Sequence, residues 1–170
     1  MKTKTAIDEF NNWAQIGKDV GMQNGHSPSV SRMIDILEER YQTNDIETML
    51  DLGCGNGWML RKIRNKLKIQ RALGVDGAEQ MIENAKKIDS SSSYLCTDIS
   101  TWIPDQRFDL IMSMEFIYYL ENPSEVFNRI FHEAADQNSI FIIGIDHYKE
   151  NEDSLSWPED LNVKMKTLCI

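Results

Sequence analysis

The sequence predicts an α/β sandwich in which helices cover both faces of a mostly parallel sheet. Helical patterns of apolar residues alternate with short apolar runs between Met33 and Ile145, and such alternation is typical of strand–helix–strand units. The run at residues 108–114 is nearly all apolar, as expected for a strand that is covered on both faces. Because crossovers between such strands are right-handed, we expect neighbouring strands to be parallel.

The individual elements are predicted from start signals and apolar stripes. Ser27 is placed to cap the first helix, and Pro28 suits its first turn. Apolar stripes mark three further helices, and the last of them, after Pro123, is expected to turn Phe131 toward the core. Short apolar runs predict five strands, at residues 48–52, 72–75, 94–96, 108–114 and 139–145.

Length and charge narrow the class of protein. A chain of 170 residues is large enough for one domain with its own core. Its 27 acidic and 18 basic residues give a net charge of −9, which argues against a nucleic-acid partner because phosphate binding needs clustered positive charge. No apolar run approaches the roughly 20 residues of a membrane span, and no secretory signal follows the N-terminus. We therefore expect no membrane association.

The cysteines indicate a reducing compartment. Cys54, Cys96 and Cys169 are widely spaced and odd in number, which fits neither a disulfide framework nor a zinc site. The sequence therefore predicts a cytoplasmic protein without a metal ion.

The loop after the first predicted strand suggests a ligand. Residues 51–57 read Asp-Leu-Gly-Cys-Gly-Asn-Gly, and alternate glycines let a ligand approach the backbone closely. Asp76 ends the next strand, where an acid can accept both hydroxyl protons of a ribose. A dinucleotide fingerprint, GxGxxG, would require glycine at position 58, where the chain has Trp58.

Four segments, in order, resemble one known family. MLDLGCGNGWML resembles motif I of the class I S-adenosylmethionine-dependent methyltransferases, and ALGVDGAEQMIENAKK is similar to their second motif. YLCTDIS resembles the segment with the adenine-contacting acid, and FDLIMSMEFIYYL resembles the fourth strand with its outgoing loop. The resemblance implies a three-layer Rossmann-like sandwich with strand order 3-2-1-4-5.

The resemblance also implies which residues hold S-adenosylmethionine and its product, S-adenosylhomocysteine. The glycine loop would pass under the methionine moiety, with Asp51 helping to hold the cationic amine. Asp76 would bind the ribose hydroxyls, and Asp98 would accept a hydrogen bond from the adenine amino group. The implied cofactor-binding residues, all near the carboxyl ends of strands, are Asp51, Gly53, Cys54, Gly55, Asp76, Gly77, Met81, Asp98, Ile99 and Met114.

The acceptor is less well defined by the sequence. Amino-methylating nucleic-acid enzymes of the class carry Asn/Asp-Pro-Pro-aromatic after the fourth strand, where this chain has Ser-Met-Glu-Phe at 113–116. A small-molecule acceptor is therefore favoured. His147 and His26 are the candidate catalytic bases, because they lie in segments that flank the predicted site. The alternative for each is a structural, hydrogen-bonded histidine, which is the commoner role of a single histidine.

The resemblance divides the chain into three parts. Residues 1–44 would form an N-terminal helical lid, residues 45–146 the cofactor-binding core, and residues 147–170 an acidic tail or acceptor loop. The class normally adds a helix and an antiparallel strand pair after the fifth strand, and this chain is too short to supply them. We expect either a truncation or a reduced variant, with the open sheet edge covered by self-association or by residues 163–170.

Two functions remain open at this stage. The first is transfer of a methyl group to a small molecule, an activity of class EC 2.1.1.-. The second is an S-adenosylmethionine-binding module without turnover, either truncated or dependent on a partner.

We predict that the purified chain binds S-adenosylmethionine or S-adenosylhomocysteine and does not bind a nicotinamide dinucleotide. The glycine spacing, with Trp58 in place of the last dinucleotide glycine, is the reason. Calorimetric titration with each ligand is the measurement. Micromolar binding of NAD without binding of the methyl donor would contradict the prediction.

Overall fold

The computed structural model describes residues 4–168. Their strands form one five-stranded sheet in the order β3-β2-β1-β4-β5, and every neighbouring pair is parallel. The predicted fold class and strand order are therefore confirmed. The strands are β1 Thr48–Leu52, β2 Arg71–Asp76, β3 Ser93–Cys96, β4 Leu110–Met114 and β5 Ile140–Gly144.

Helices cover both faces of the sheet. Side chains from α2, α3 and α4 pack on one face against Met49 and Met112, and α5 packs on the other face against Leu50 and Ile111. Successive residues of a strand point to opposite faces, so each strand serves both cores. The helices are α1 Ala6–Gln15, α2 Val20–Arg40, α3 Trp58–Leu67, α4 Glu79–Ile88, α5 Pro123–Ala134 and the short α6 Trp157–Leu161.

Helix α2 begins earlier than the sequence predicts. It starts at Val20, so Ser27 and Pro28 lie inside it and Ser27 does not cap it. The carbonyl of Ser27 instead accepts hydrogen bonds from Ser31 Oγ at 2.9 Å and from Lys62 Nζ at 3.2 Å. The first turns of α2 are polar and carry no apolar stripe, so they contain no helical signal of the kind that apolar periodicity provides.

Two other expectations about packing are wrong. Phe131 is 59% exposed and meets the ring of Phe141 on β5, because no described strand follows β5 to cover it. The described part of residues 163–170 does not lie along β5. Val163 forms a parallel bridge with Lys4, and Leu168 forms one with Tyr148. Residues 169–170 lie outside the described part of the chain.

The sheet ends at β5 within residues 4–168, with no antiparallel pair beyond it. Self-association through this edge and the three-part division of the chain stay predictions. No helix in the described range has both the length and the apolar character to span a membrane.

Candidate active site

The strand order places the loops after β1 and β4 side by side. These strands are neighbours, and the sheet grows in opposite directions from them, which is where ligands bind in open parallel sheets. Gly53 follows β1 with φ of +75°, and a Cβ at this position would clash with the ring of Phe116. Glycine is therefore required for the two loops to meet.

A cavity opens at this edge, and it brings together most of the predicted cofactor-binding residues. Asp51 and Cys54 do not line it, whereas Phe10 and Met22 from α1 and α2 do. The predicted residues around this first cavity are Gly53, Gly55, Asp76, Gly77, Met81, Asp98, Ile99 and Met114.

Asp76 is held in a fixed orientation at the floor of the first cavity. Its Oδ2 accepts from the backbone N–H of Gly55 at 2.9 Å, and its Oδ1 accepts from that of Ala78 at 2.8 Å. Desolvation raises the pKa of Asp76, while these backbone donors oppose the rise. Each carboxylate oxygen keeps a second lone pair for a ligand hydroxyl.

Asp98 lies at the opposite rim and is exposed to solvent. Its Oδ1 accepts from the backbone N–H of Ser100 at 2.9 Å, which leaves Oδ2 available to a ligand. Ile99, the next residue, is 3% exposed and offers an apolar wall. This pair suits a flat ring with an amino substituent.

Asp51 lies beneath the glycine loop and is completely buried. Neither carboxylate oxygen has a hydrogen-bond partner among the described residues. Burial raises the pKa of Asp51 to about 8, and the nearby charge of Asp76 adds to the rise. A buried acid without a partner fits a site for a cationic ligand, since a positive charge nearby would favour its ionised form.

Cys54 contributes its backbone to the loop and its side chain to the core. The thiol is 4% exposed, and a Cβ at Gly74 would lie 2.8 Å from its Sγ. Burial raises the pKa of the Cys54 thiol well above its ordinary value, so it is not a nucleophile at neutral pH.

A second cavity adjoins the first. Phe10, Met22, Glu115 and Tyr119 line both, so the two spaces share a common wall. The remaining lining of the second cavity comes from α1, α2, the loop after β4, and α6: Trp13, His26, Tyr118, Trp157, Asp160 and Leu161.

Glu115 stands between the cavities and was not among the predicted site residues. It follows β4 directly, with φ of +54°, a left-handed conformation that costs a non-glycine residue on the order of 1 kcal/mol. Tyr118 donates to its Oε2 at 2.6 Å, whereas its Oε1 is buried without a partner. Burial raises the pKa of Glu115 to about 7. Its position directly after the strand at the sheet reversal was the signal available in the sequence.

The two candidate histidines occupy different environments. His147 is completely buried, with Nδ1 at 3.0 Å from the carbonyl of Ser154 and Nε2 at 3.4 Å from Thr167 Oγ1. It lines neither cavity, and its contacts are those of a structural side chain. His26 lines the second cavity, and its Nδ1 lies 3.4 Å from Asp146 Oδ2.

The fold, the glycine loop and the strand-end acids together define a class I methyltransferase domain. Residues 50–142 match the family described as "Methyltransferase domain". The chain belongs to this family.

Individual relatives have different named substrates. The chain is 29% identical over 85 residues to the trans-aconitate 2-methyltransferase of Rhizobium rhizogenes, covering 50% of this chain and 33% of that protein. It is 26% identical over 137 residues to the malonyl-[acyl-carrier protein] O-methyltransferase of Bacillus anthracis, covering 79% and 51%. It is 28% identical over 120 residues to the (S)-coclaurine N-methyltransferase of Papaver somniferum, covering 68% and 34%. The chain thus spans from a third to about half of these relatives.

Solved structures share the fold. A chain in the complex between the Haloferax volcanii Trm112 methyltransferase activator and a methyltransferase superposes with a TM-score of 0.84 at 27% identity, covering 99% of this chain and 72% of that chain. The plantazolicin methyltransferase BpumL in complex with SAH superposes with a TM-score of 0.67 at 19% identity, covering 92% and 68%. The latter likeness concerns the fold alone.

We predict that Asp76→Ala weakens S-adenosylmethionine binding more than Asp98→Ala does. A carboxylate that bridges a diol makes two charge-assisted hydrogen bonds of roughly 1.5–3 kcal/mol each, whereas an adenine amino group offers one. Because such losses are not additive, we expect about tenfold between the two dissociation constants. Titration calorimetry measures both, with Asp105→Ala as the matched exposed control. Equal weakening in two folded variants would refute the ranking.

Asp51 is expected to make stability depend on pH. Its pKa is raised from 3.8 to about 8, so the folded state keeps the proton to higher pH than the unfolded state does. The free energy of unfolding is therefore expected to fall as the pH rises from about 4 to 8. Asp51→Asn should remove more than about 1 kcal/mol of this fall, the equivalent of one pKa unit.

Urea unfolding at pH 5 and pH 8 measures this difference, with Asp105→Asn as the control for loss of one acid. If the free energy of unfolding decreases equally between pH 5 and pH 8 in the wild type and in Asp51→Asn, the prediction is wrong.

Proposed function

We propose that this chain is an S-adenosylmethionine-dependent methyltransferase that acts on a small molecule. The observation that supports it is the pair of adjoining cavities, one lined by the residues expected to hold the methyl donor and the other by aromatic side chains. A transferase needs this arrangement, because donor and acceptor must meet in one orientation.

The chain's own residues fit the methyl donor. Asp76 would hold the ribose hydroxyls, Asp98 and Ile99 the adenine, and the loop at Gly53 and Gly55 the methionine part. When bound, the donor supplies a methyl group on a sulfonium, which is already activated. The protein then has to orient the acceptor, exclude water and accept a proton.

The walls of the second cavity support a small acceptor. Helices α1, α2 and α6 all contribute to this partly open space, which is lined by aromatic rather than basic side chains. His26 stays a candidate base because it lines this cavity. His147 is not proposed as the base, since its buried ring lines neither cavity. In this proposal the segment of α1 and α2 serves as the lid.

Incubation with methyl-labelled S-adenosylmethionine and a fractionated metabolite extract tests the proposal. We expect a labelled small molecule from the wild type and none from Asp76→Ala, since that variant would not hold the donor. Tight binding of the donor without labelled product in any fraction would favour the alternative, a binding module without turnover.

We also propose that β5 pairs with a second copy of the chain. The edge strand presents Ile143 at 40% exposure next to Phe131 at 59%, and uncovered apolar edges recruit other strands. The activator in the Haloferax volcanii complex makes a different protein the alternative partner. We also propose a cytoplasmic location, which the odd number and wide spacing of the cysteines support.

Light scattering at high micromolar concentration tests the edge contact. We expect a dimer for the wild type and a monomer for Ile143→Lys, because a charged side chain on an edge strand opposes pairing. Leu155→Lys, at another exposed apolar position, is the control. A monomeric wild type would leave the edge to a different partner and refute self-association.

A further inference from the structure

The charges around the second cavity limit the kind of acceptor it can take. Glu115 and Asp160 line it, and no lysine or arginine is found among the described lining residues of either cavity. Lys18 stacks over the ring of Trp13 at 4.0 Å but is not part of the lining. A carboxylate acceptor would therefore meet like charges without a lysine or arginine to pair with, which disfavours an anionic ligand.

The aromatic side chains favour the opposite charge. Phe10 meets Trp13 and Tyr119 edge to face, with ring centroids 5.4 and 5.3 Å apart, and all three line the second cavity. Trp157 adds a further ring to the wall. Aromatic faces attract ammonium groups, and most strongly where water is excluded. An amine on an apolar body would find both a counter-charge and aromatic walls here.

Glu115 has one carboxylate oxygen without a hydrogen-bond partner among the described residues. The hydrogen bond from Tyr118 occupies Oε2, so the buried Oε1 is the atom left to accept from a ligand. The other titratable groups near this carboxyl group are Asp146, His26 and Tyr119. Asp146 also helps to raise the pKa of Glu115, although Asp146 itself lines neither cavity.

We propose, on the basis of the function above, that the second cavity binds a small apolar amine as its cation and that Glu115 Oε1 accepts the proton of that ammonium. The N–H bond breaks, an O–H bond forms at Glu115, and the electron pair stays on nitrogen, which becomes nucleophilic. The proton then leaves to solvent past Asp146 and His26, whose side chains are 40% and 22% exposed.

Binding of an amine should depend on pH in a defined direction. The pKa of Glu115 is about 7, so its carboxyl group is mostly neutral at pH 6 and mostly ionised at pH 8. A primary amine stays protonated across this range. The affinity of the wild type for an amine is therefore expected to rise from pH 6 to pH 8, and this rise should be absent in Glu115→Gln.

Three probes of one skeleton test the assignment without the methyl donor: 3-phenylpropylamine, 3-phenylpropan-1-ol and 3-phenylpropionate. Titration calorimetry at pH 8 is expected to show that the amine binds most tightly, the alcohol less tightly and the carboxylate least. We expect the dissociation constants of the amine and the carboxylate to differ by about tenfold. Glu115→Gln should weaken binding of the amine by about tenfold and leave binding of the alcohol unchanged. Glu125→Gln, an exposed glutamate that lines neither cavity, should behave as the wild type.

Carboxylate binding as tight as amine binding would overturn the proposal. An equal loss of affinity for the amine and the alcohol in Glu115→Gln would also overturn it, because such a loss indicates a structural role for Glu115. If Glu115→Gln does not fold, the pH profile of the wild type decides, since flat amine affinity between pH 6 and 8 refutes the role of Glu115. A parallel titration with S-adenosylmethionine separates the two proposals. Donor binding without amine selection refutes this inference alone, whereas amine selection without donor binding refutes the methyltransferase function alone.

Discussion

The close approach of the loops after β1 and β4 is the constraint on which the rest of the site depends. Gly53 must lack a side chain for Phe116 to pack against the glycine loop. This contact places the backbone of the loop at one side of the first cavity and Glu115 at the other. A larger residue at position 53 would separate the loops, and Glu115 would then lose its position between the two cavities.

Buried and partly buried acidic side chains dominate the electrostatics at the carboxyl ends of the strands. Desolvation raises the pKa values of Asp51, Asp76 and Glu115, and no lysine or arginine among the described lining residues offsets their charge. Such an arrangement is unfavourable for the protein alone and becomes favourable when cationic ligands enter. A sulfonium donor and an ammonium acceptor would both relieve it. The same physical argument therefore supports the proposed cofactor and the proposed acceptor class.

The sequence predicts most of the residues that meet at the first cavity, because the sequence signals for these residues are local. The glycines after β1 and the acid Asp76 lie next to the strands that position them, so strand assignment alone brings them together. The second cavity could not be predicted in this way, because its walls come from Phe10, Glu115 and Trp157, far apart in the chain. His147 was a candidate base because of its position along the chain. Only the structure shows that its side chain is buried and hydrogen-bonded to the backbone.

The division between the cavities is consistent with a family whose members have different named substrates. The family match covers residues 50–142, which include all ten of the predicted cofactor-binding residues. Most of the second cavity lies outside that range, in α1, α2 and α6. The N-terminal and C-terminal segments that supply these walls are joined by the bridge between Lys4 and Val163. Under the proposed function, the segments outside the family match would select the substrate, so an acceptor for this chain has to be inferred from its own aromatic and acidic walls.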